Sequence, residues 1–259
     1  MSTISRPALV PEVVFPDSDG RPMADNTLQY KWIVIIKENL EILYQDRDDV
    51  FIAGDLLWYP DADNPKRCMA PDVLVAIGRP KGYRGSYRQW EEGGVAPQVV
   101  FEIHSPSNDP EEVMRKLGFY SRHGVEEYYY YDPETGKLTG FIRDERGLED
   151  GIDMHGFTSP RLQIRFEPGD GPDAMEIFGP DGQRFLTTVE LAQQRDEANR
   201  RAEAAEQKAE AERQKAEAER RKAEAAEQKA EAERRRAEAE RQKAERLAAK
   251  LRELGIEPE

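Results

Sequence analysis

Alanine recurs at positions 202, 209, 216, 223, 230, 237 and 244, a strict seven-residue period inside a stretch, Val189 to Leu254, that holds neither glycine nor proline. Most other residues there are Glu, Lys, Arg and Gln, strong helix formers like alanine. The tract is therefore predicted to be one long helix, about 100 Å at 1.5 Å per residue. The sequence AEAAEQKAEAER occupies 202–213 and returns unchanged at 223–234, which points to tandem expansion of a short unit. Opposite charges one turn apart, as in Glu217 with Arg221, Glu231 with Arg235 and Glu212 with Lys215, each add about 0.2–0.5 kcal/mol. A coiled-coil seam asks for apolar residues three and four apart, whereas these alanines lie two and five apart, with Leu247, Leu251 and Leu254 offering larger apolar groups near the end. A solvated single helix and weak self-association both stay open. With 17 acidic and 18 basic residues between 189 and 254, the tract does not read as a nucleic-acid arm.

The chain's net charge of −14 thus arises elsewhere: residues 1–188 carry 33 acidic and 20 basic side chains, a net of −13. These residues have the length of one domain and hold nearly all the aromatics, so a core belongs there. The expected division is a domain over 1–188 and a charged helix with a short tail over 189–259. One cysteine, Cys68, excludes an internal disulfide and a multi-cysteine zinc site, and fits a reducing compartment. No apolar run reaches the roughly 20 residues needed to cross a bilayer, and the opening MSTISRPALVPEVV lacks a basic segment followed by an apolar one. The expectation is a soluble, cytoplasmic protein with no membrane partner.

Within the domain, Asp25-Asn26 precedes an amphipathic helix over Thr27 to Leu43, whose Leu28, Trp32, Ile35, Ile36, Leu40 and Leu43 recur at spacings of three and four. Strands are predicted at Val50–Leu57, Val73–Ile77 and Val99–Ile103, with a glycine- and proline-rich loop over Gly78–Pro97. Asp109-Pro110 opens a second helix, with Glu111 and Glu112 in its first turn, that ends at Gly124. Glu127–Tyr131 and Leu138–Arg143 form a hairpin around Asp132-Pro-Glu-Thr-Gly136, with the four tyrosines Tyr128 to Tyr131 alternating between core and surface. Short strands near Leu162–Phe166 and Ala174–Ile177 complete an α+β domain around a mixed sheet.

Side chains alternate along a strand, so Glu102 and His104 project together, opposite Phe101 and Ile103. If the preceding strand is a neighbour, Asp72 at its start meets Glu102. Two carboxylates a few ångströms apart repel unless a positive charge lies between them, and Mg²⁺ is a natural occupant. Lys116 follows on the second helix, where a turn of helix carries its ammonium back over the pair.

In order and spacing these elements resemble the Uma-type restriction endonuclease family of the PD-(D/E)XK nuclease superfamily. The matching stretches are Ala70-Pro71-Asp72-Val73-Leu74-Val75, Val100-Phe101-Glu102-Ile103-His104-Ser105-Pro106-Ser107-Asn108, Lys116 with Tyr120, and Gly124-Val125-Glu126-Glu127-Tyr128 through Asp132-Pro133. The resemblance implies a restriction-endonuclease-like core, with Asp72 and Glu102 binding Mg²⁺ (or Mn²⁺) and Lys116 as the catalytic lysine. It implies hydrolysis of DNA phosphodiester bonds to a 3′ hydroxyl and a 5′ phosphate. His104 stands where the superfamily usually has its lysine, two residues after the glutamate, and is a candidate third ligand or proton carrier. Glu38 and Glu41 on the first helix are candidates for a second metal or a bridging water.

A domain at −13 repels DNA and needs a local basic patch. Lys81, Arg84 and Arg88, among Tyr83, Tyr87 and Trp90 of the loop, are the candidate contact. The reading is a metal-dependent endonuclease, with self-association through either part as a further expectation. The alternative is an inactive nuclease fold that recruits a partner through its C-terminal helix.

Overall fold

The computed structural model describes residues 13–18, 20, 23–106 and 108–253. Ser107, Leu254 and the first twelve residues lie outside them, as does the Leu251 side chain. The chain divides into two compact units, Met1–Leu191 and Ala192–Glu259.

Among the described residues the first helix is α1 (Thr27–Leu43), started by Asn26, whose side chain accepts from the amides of Leu28 and Gln29. Strands β1 (Val50–Gly54), β2 (Trp58–Tyr59), β3 (Val73–Ile77), β4 (Tyr87–Arg88) and β5 (Val99–Ile103) follow, then helix α2 (Pro110–His123). After α2 come β6 (Glu127–Asp132), β7 (Lys137–Asp144), β8 (Gly147–Glu149), β9 (Arg165–Glu167) and β10 (Glu176–Phe178). Helix α3 (Thr188–Glu253) is entered through a capping box in which Thr187 and Glu190 each bond the other's amide.

The main sheet runs β1-β3-β5-β6-β7-β8, and only its β5–β6 pair is parallel. This is the expected α+β architecture, a mixed sheet flanked by helices and followed by a long charged helix. Alternation along β3 and β5 sorts side chains to two faces. Val73, Val75, Val99, Phe101 and Ile103 pack with Trp32, Ile33, Ile36 and Leu40 of α1 on one side. Leu74, Ala76 and Val100 pack with Phe119 and Tyr120 of α2 on the other.

Covered on both faces, the sheet has no solvent side for the tyrosine run, which corrects the expected alternation: Tyr128, Tyr129 and Tyr131 are all buried. The Gly78–Pro97 segment also differs from the open loop expected. It contains β4, which pairs in parallel with β2 and buries Tyr87. In α3, Arg221 pairs with Glu217 and Arg235 with Glu231, and most of its residues are exposed. Such exposed pairs contribute at most about 1 kcal/mol each. Among the described residues no helix is long and apolar enough to cross a membrane.

Candidate active site

Strand register fixes the centre of the site. Antiparallel pairing sets Val73 opposite Phe101 and Leu74 opposite Val100, so the next step of the ladder puts Asp72 opposite Glu102 on the face that α2 covers. Side chains so opposed start about 4.5–5.5 Å apart at Cβ. Asp72 Oδ2 accepts from the Ile103 amide at 2.6 Å, which turns its carboxylate along the end of β5. Both acids are buried, Glu102 at 1% and Asp72 at 6% exposure, so a charge here needs compensation.

Helix α2 supplies it. Asp109 caps the N-terminus by accepting from the Glu112 amide at 2.7 Å, Pro110 occupies the first turn, and Gly124 closes the helix at φ 96°, a conformation glycine adopts readily. Lys116 and Tyr120, one turn apart, therefore share the inward face. Lys116 Nζ donates to Glu102 Oε2 at 2.7 Å, and the Tyr120 hydroxyl donates to Glu102 Oε1. Each oxygen of the buried carboxylate has its own donor.

Burial pushes the Asp72 carboxyl up to about 8, and the Glu102 charge pushes in the same direction, while Lys116 and the Ile103 amide oppose it. For Lys116, burial works against the charged form, but the fields of Glu102 and Asp72 outweigh it and raise its pKa. The Tyr120 hydroxyl is raised by burial first and Glu102 second, so it is a fixed donor. Two acids thus share one ammonium, and the second acid resists ionising.

Asp72 and Lys116 line a cavity of about 420 Å³ together with Asp25, Gln29, Asp55 and Glu112. Gln29 reaches over from α1: its side-chain nitrogen donates to the Ile103 carbonyl at 3.3 Å and its oxygen accepts from the Asp25 amide at 2.9 Å. Ser105 Oγ bonds Asp25 Oδ2 at 2.7 Å, tying the β5–α2 connection to the start of α1.

Asp72, Glu102 and Lys116 therefore come together. His104 takes another direction, its Nδ1 meeting the Tyr130 hydroxyl at 2.6 Å, and it does not line the cavity. Glu38 and Glu41 are absent from the cavity wall as well; both pair with Lys37, at 3.0 and 3.1 Å. The loop cations are committed within the fold. Lys81 bonds the carbonyls of Tyr44 and Gln45, Arg84 pairs with Glu92 and lies over Phe51, and Arg88 faces Asp17 and Glu91. Gln29 escaped the sequence reading, yet it carried a signal: a polar residue three before Trp32 on the apolar stripe of α1.

Among the described residues no three His, Cys, Asp or Glu side chains gather as a metal cluster, so the candidate ligands are a pair. Their chemistry fits a hard divalent cation. The donors are all oxygen, the Asp72 carboxyl is held back from ionising by burial first and by Glu102 second, and Mg²⁺ commonly takes only one or two carboxylates, keeping water elsewhere.

Residues 32–152 match the Uma2 family, described as "Putative restriction endonuclease". This segment is thus similar to the Uma2 family. The Uma2 match takes in Asp72, Glu102, His104 and Lys116, begins just after Gln29, and assigns a PD-(D/E)XK-like nuclease fold. Among solved structures, one described as "a putative nuclease belonging to DUF820 from Anabaena variabilis ATCC 29413" is similar at 14% identity, with a TM-score of 0.42, over 53% of this chain and 75% of that chain. No curated protein matches.

Proposed function

We propose that the first unit is a metal-dependent endonuclease that hydrolyses DNA phosphodiester bonds in the cytoplasm. The observation that carries this reading is the gathering of Asp72, Glu102 and Lys116, from β3, β5 and α2, beside one cavity. Asp72 and Glu102 would hold Mg²⁺ or Mn²⁺. When bound, the cation supplies positive charge to the scissile phosphate and acidifies the attacking water.

The protein's own groups do the rest. Lys116, kept protonated by the two acids, is a donor and not a base. One of its three N–H groups holds Glu102, leaving others to orient the water or to meet charge growing on the phosphate oxygens. Tyr120 fixes the second Glu102 oxygen, so the carboxylate keeps its orientation as charge moves nearby. Water adds to phosphorus, the P–O3′ bond breaks, and the strands leave as a 3′ hydroxyl and a 5′ phosphate. The match of residues 32–152 to a family described as "Putative restriction endonuclease" supports the reaction class.

Supercoiled DNA incubated with Mg²⁺ or Mn²⁺ tests this. Wild type is expected to nick or linearise it, and Glu102→Gln and Lys116→Ala are each expected to lose about 10²-fold or more in rate. Cleavage that persists in both folded variants would remove the site. A second reading, an inactive nuclease fold acting as a scaffold, is favoured by one feature: Lys116 and Tyr120 already satisfy both Glu102 oxygens. Wild type that neither cuts DNA nor binds the cation would select it.

A further inference from the structure

A second groove of about 380 Å³ adjoins the active-site cavity, and Cys68, Met69 and Arg115 line both. Its charge is unlike that of the rest of the domain. Lys66 and Arg67 reach it from the β2–β3 connection, Arg115 and Arg122 from α2, and no acidic side chain lines it. The cavity beside Lys116, by contrast, has Asp25, Asp55, Asp72 and Glu112 in its wall.

All four groove cations are exposed. Among the described residues neither Lys66 nor Arg122 pairs with an acid. Arg67 holds Asp61, and Arg115 reaches Glu112 at 3.5 Å. Exposed pairs of this kind are worth at most about 1 kcal/mol and open readily to a stronger anion. Arg115, Gly118 and Arg122 follow one another at helical spacing along one face of α2. A Cβ built on Gly118 would touch nothing within 4 Å, so this face has room for a backbone to approach closely. Arg115 and Arg122 are seven residues apart, about 10 Å along the axis, which matches the rise of roughly three nucleotides of one B-form strand.

We infer that this groove is the track on which the DNA strand flanking the scissile bond lies, held through its phosphates by Lys66, Arg67, Arg115 and Arg122. The inference rests on the nuclease reading for the position of the scissile bond. Contacts to phosphates carry no base information, so the track binds DNA of different sequences alike. In the Gly78–Gly94 loop, by contrast, Lys81 is held by two backbone carbonyls and Arg84 by buried Glu92.

The test uses the full chain in EDTA, where binding is read without cleavage. Fluorescence anisotropy follows two labelled duplexes of unrelated sequence over a range of salt concentrations. Lys66→Ala/Arg122→Ala is compared with wild type and with Lys137→Ala/Arg146→Ala, two exposed cations outside the groove. The groove variant is expected to weaken binding of both duplexes and to lower the slope of log K against log salt by about 2, while the control leaves it unchanged. An unchanged slope in the groove variant overturns the inference. So does a groove that takes poly-glutamate but not DNA. Binding that depends on the groove without cleavage in any divalent metal overturns the nuclease reading and keeps the track. Cleavage with a groove-independent slope does the reverse.

Discussion

Asp72 is the residue whose chemistry is most exposed to test. In its native place the carboxyl is protonated up to about pH 8, whereas unfolded it ionises near 3.8. Between those values the native state holds one more proton than the unfolded state, so this group's contribution to stability falls as pH rises from about 4 to about 8. In metal-free buffer, Asp72→Asn is therefore expected to melt above wild type at pH 8, with the difference vanishing near pH 4, read by thermal denaturation across pH. Equal melting differences at both pH values would contradict it. Mg²⁺ should raise the wild-type midpoint at pH 8 by mass action and leave Asp72→Asn unmoved. Tyr120 makes a separate case, because Tyr120→Phe strips one donor from a buried carboxylate oxygen. A cost of about 1–3 kcal/mol in urea unfolding is expected.

Helix α2 acts as a lever that brings Lys116 to Glu102, and its register is set at both ends. Asp109 and Gly124 cap it, while Arg143 on β7 donates to the Val125 carbonyl at 2.6 Å and the Ser121 carbonyl at 2.5 Å. Asp109→Ala is expected to cost about 1 kcal/mol of stability, measured by chemical denaturation, with the Lys116–Glu102 contact otherwise kept. Much of this element was legible beforehand. Asp109-Pro110 and Gly124 are signals whose physics is local, and the apolar run of β5 interrupted by Glu102 marks a buried acid directly. The pairing of β3 with β5, by contrast, is a long-range fact that periodicity leaves undetermined, so the meeting of Asp72 with Glu102 was conditional until the ladder was seen. The loop cations misled for the same reason. A lysine or arginine among glycines and tyrosines reads as available until buried Glu92 and the Tyr44 and Gln45 carbonyls are found to hold it. His104 shared the face of Glu102 as alternation requires, but Tyr130, its neighbour from β6, engaged its ring.

At the scale of the molecule, an acidic domain and a charge-matched helix divide the work. We expect residues 1–191 to fold alone, since the core clusters and the capping box all lie within them. A chain ending at Leu191 should keep one cooperative thermal transition and its Mg²⁺ response, whereas a broad, non-cooperative melt would show that α3 is needed for the fold. The heptad alanines and matched charges disclosed α3 fully, because helix propensity and i,i+4 pairing act within a turn or two. On the proposed reading, what the domain does depends on one assembly: a divalent cation held between a strand-start aspartate and a mid-sheet glutamate under a helical lysine. Crystals of the protein soaked in Mn²⁺ and measured for anomalous scattering test it most directly. A peak within coordination distance of both the Asp72 and Glu102 carboxylates, beside Lys116, is the predicted result; Mn²⁺ bound elsewhere with these two acids bare would contradict it.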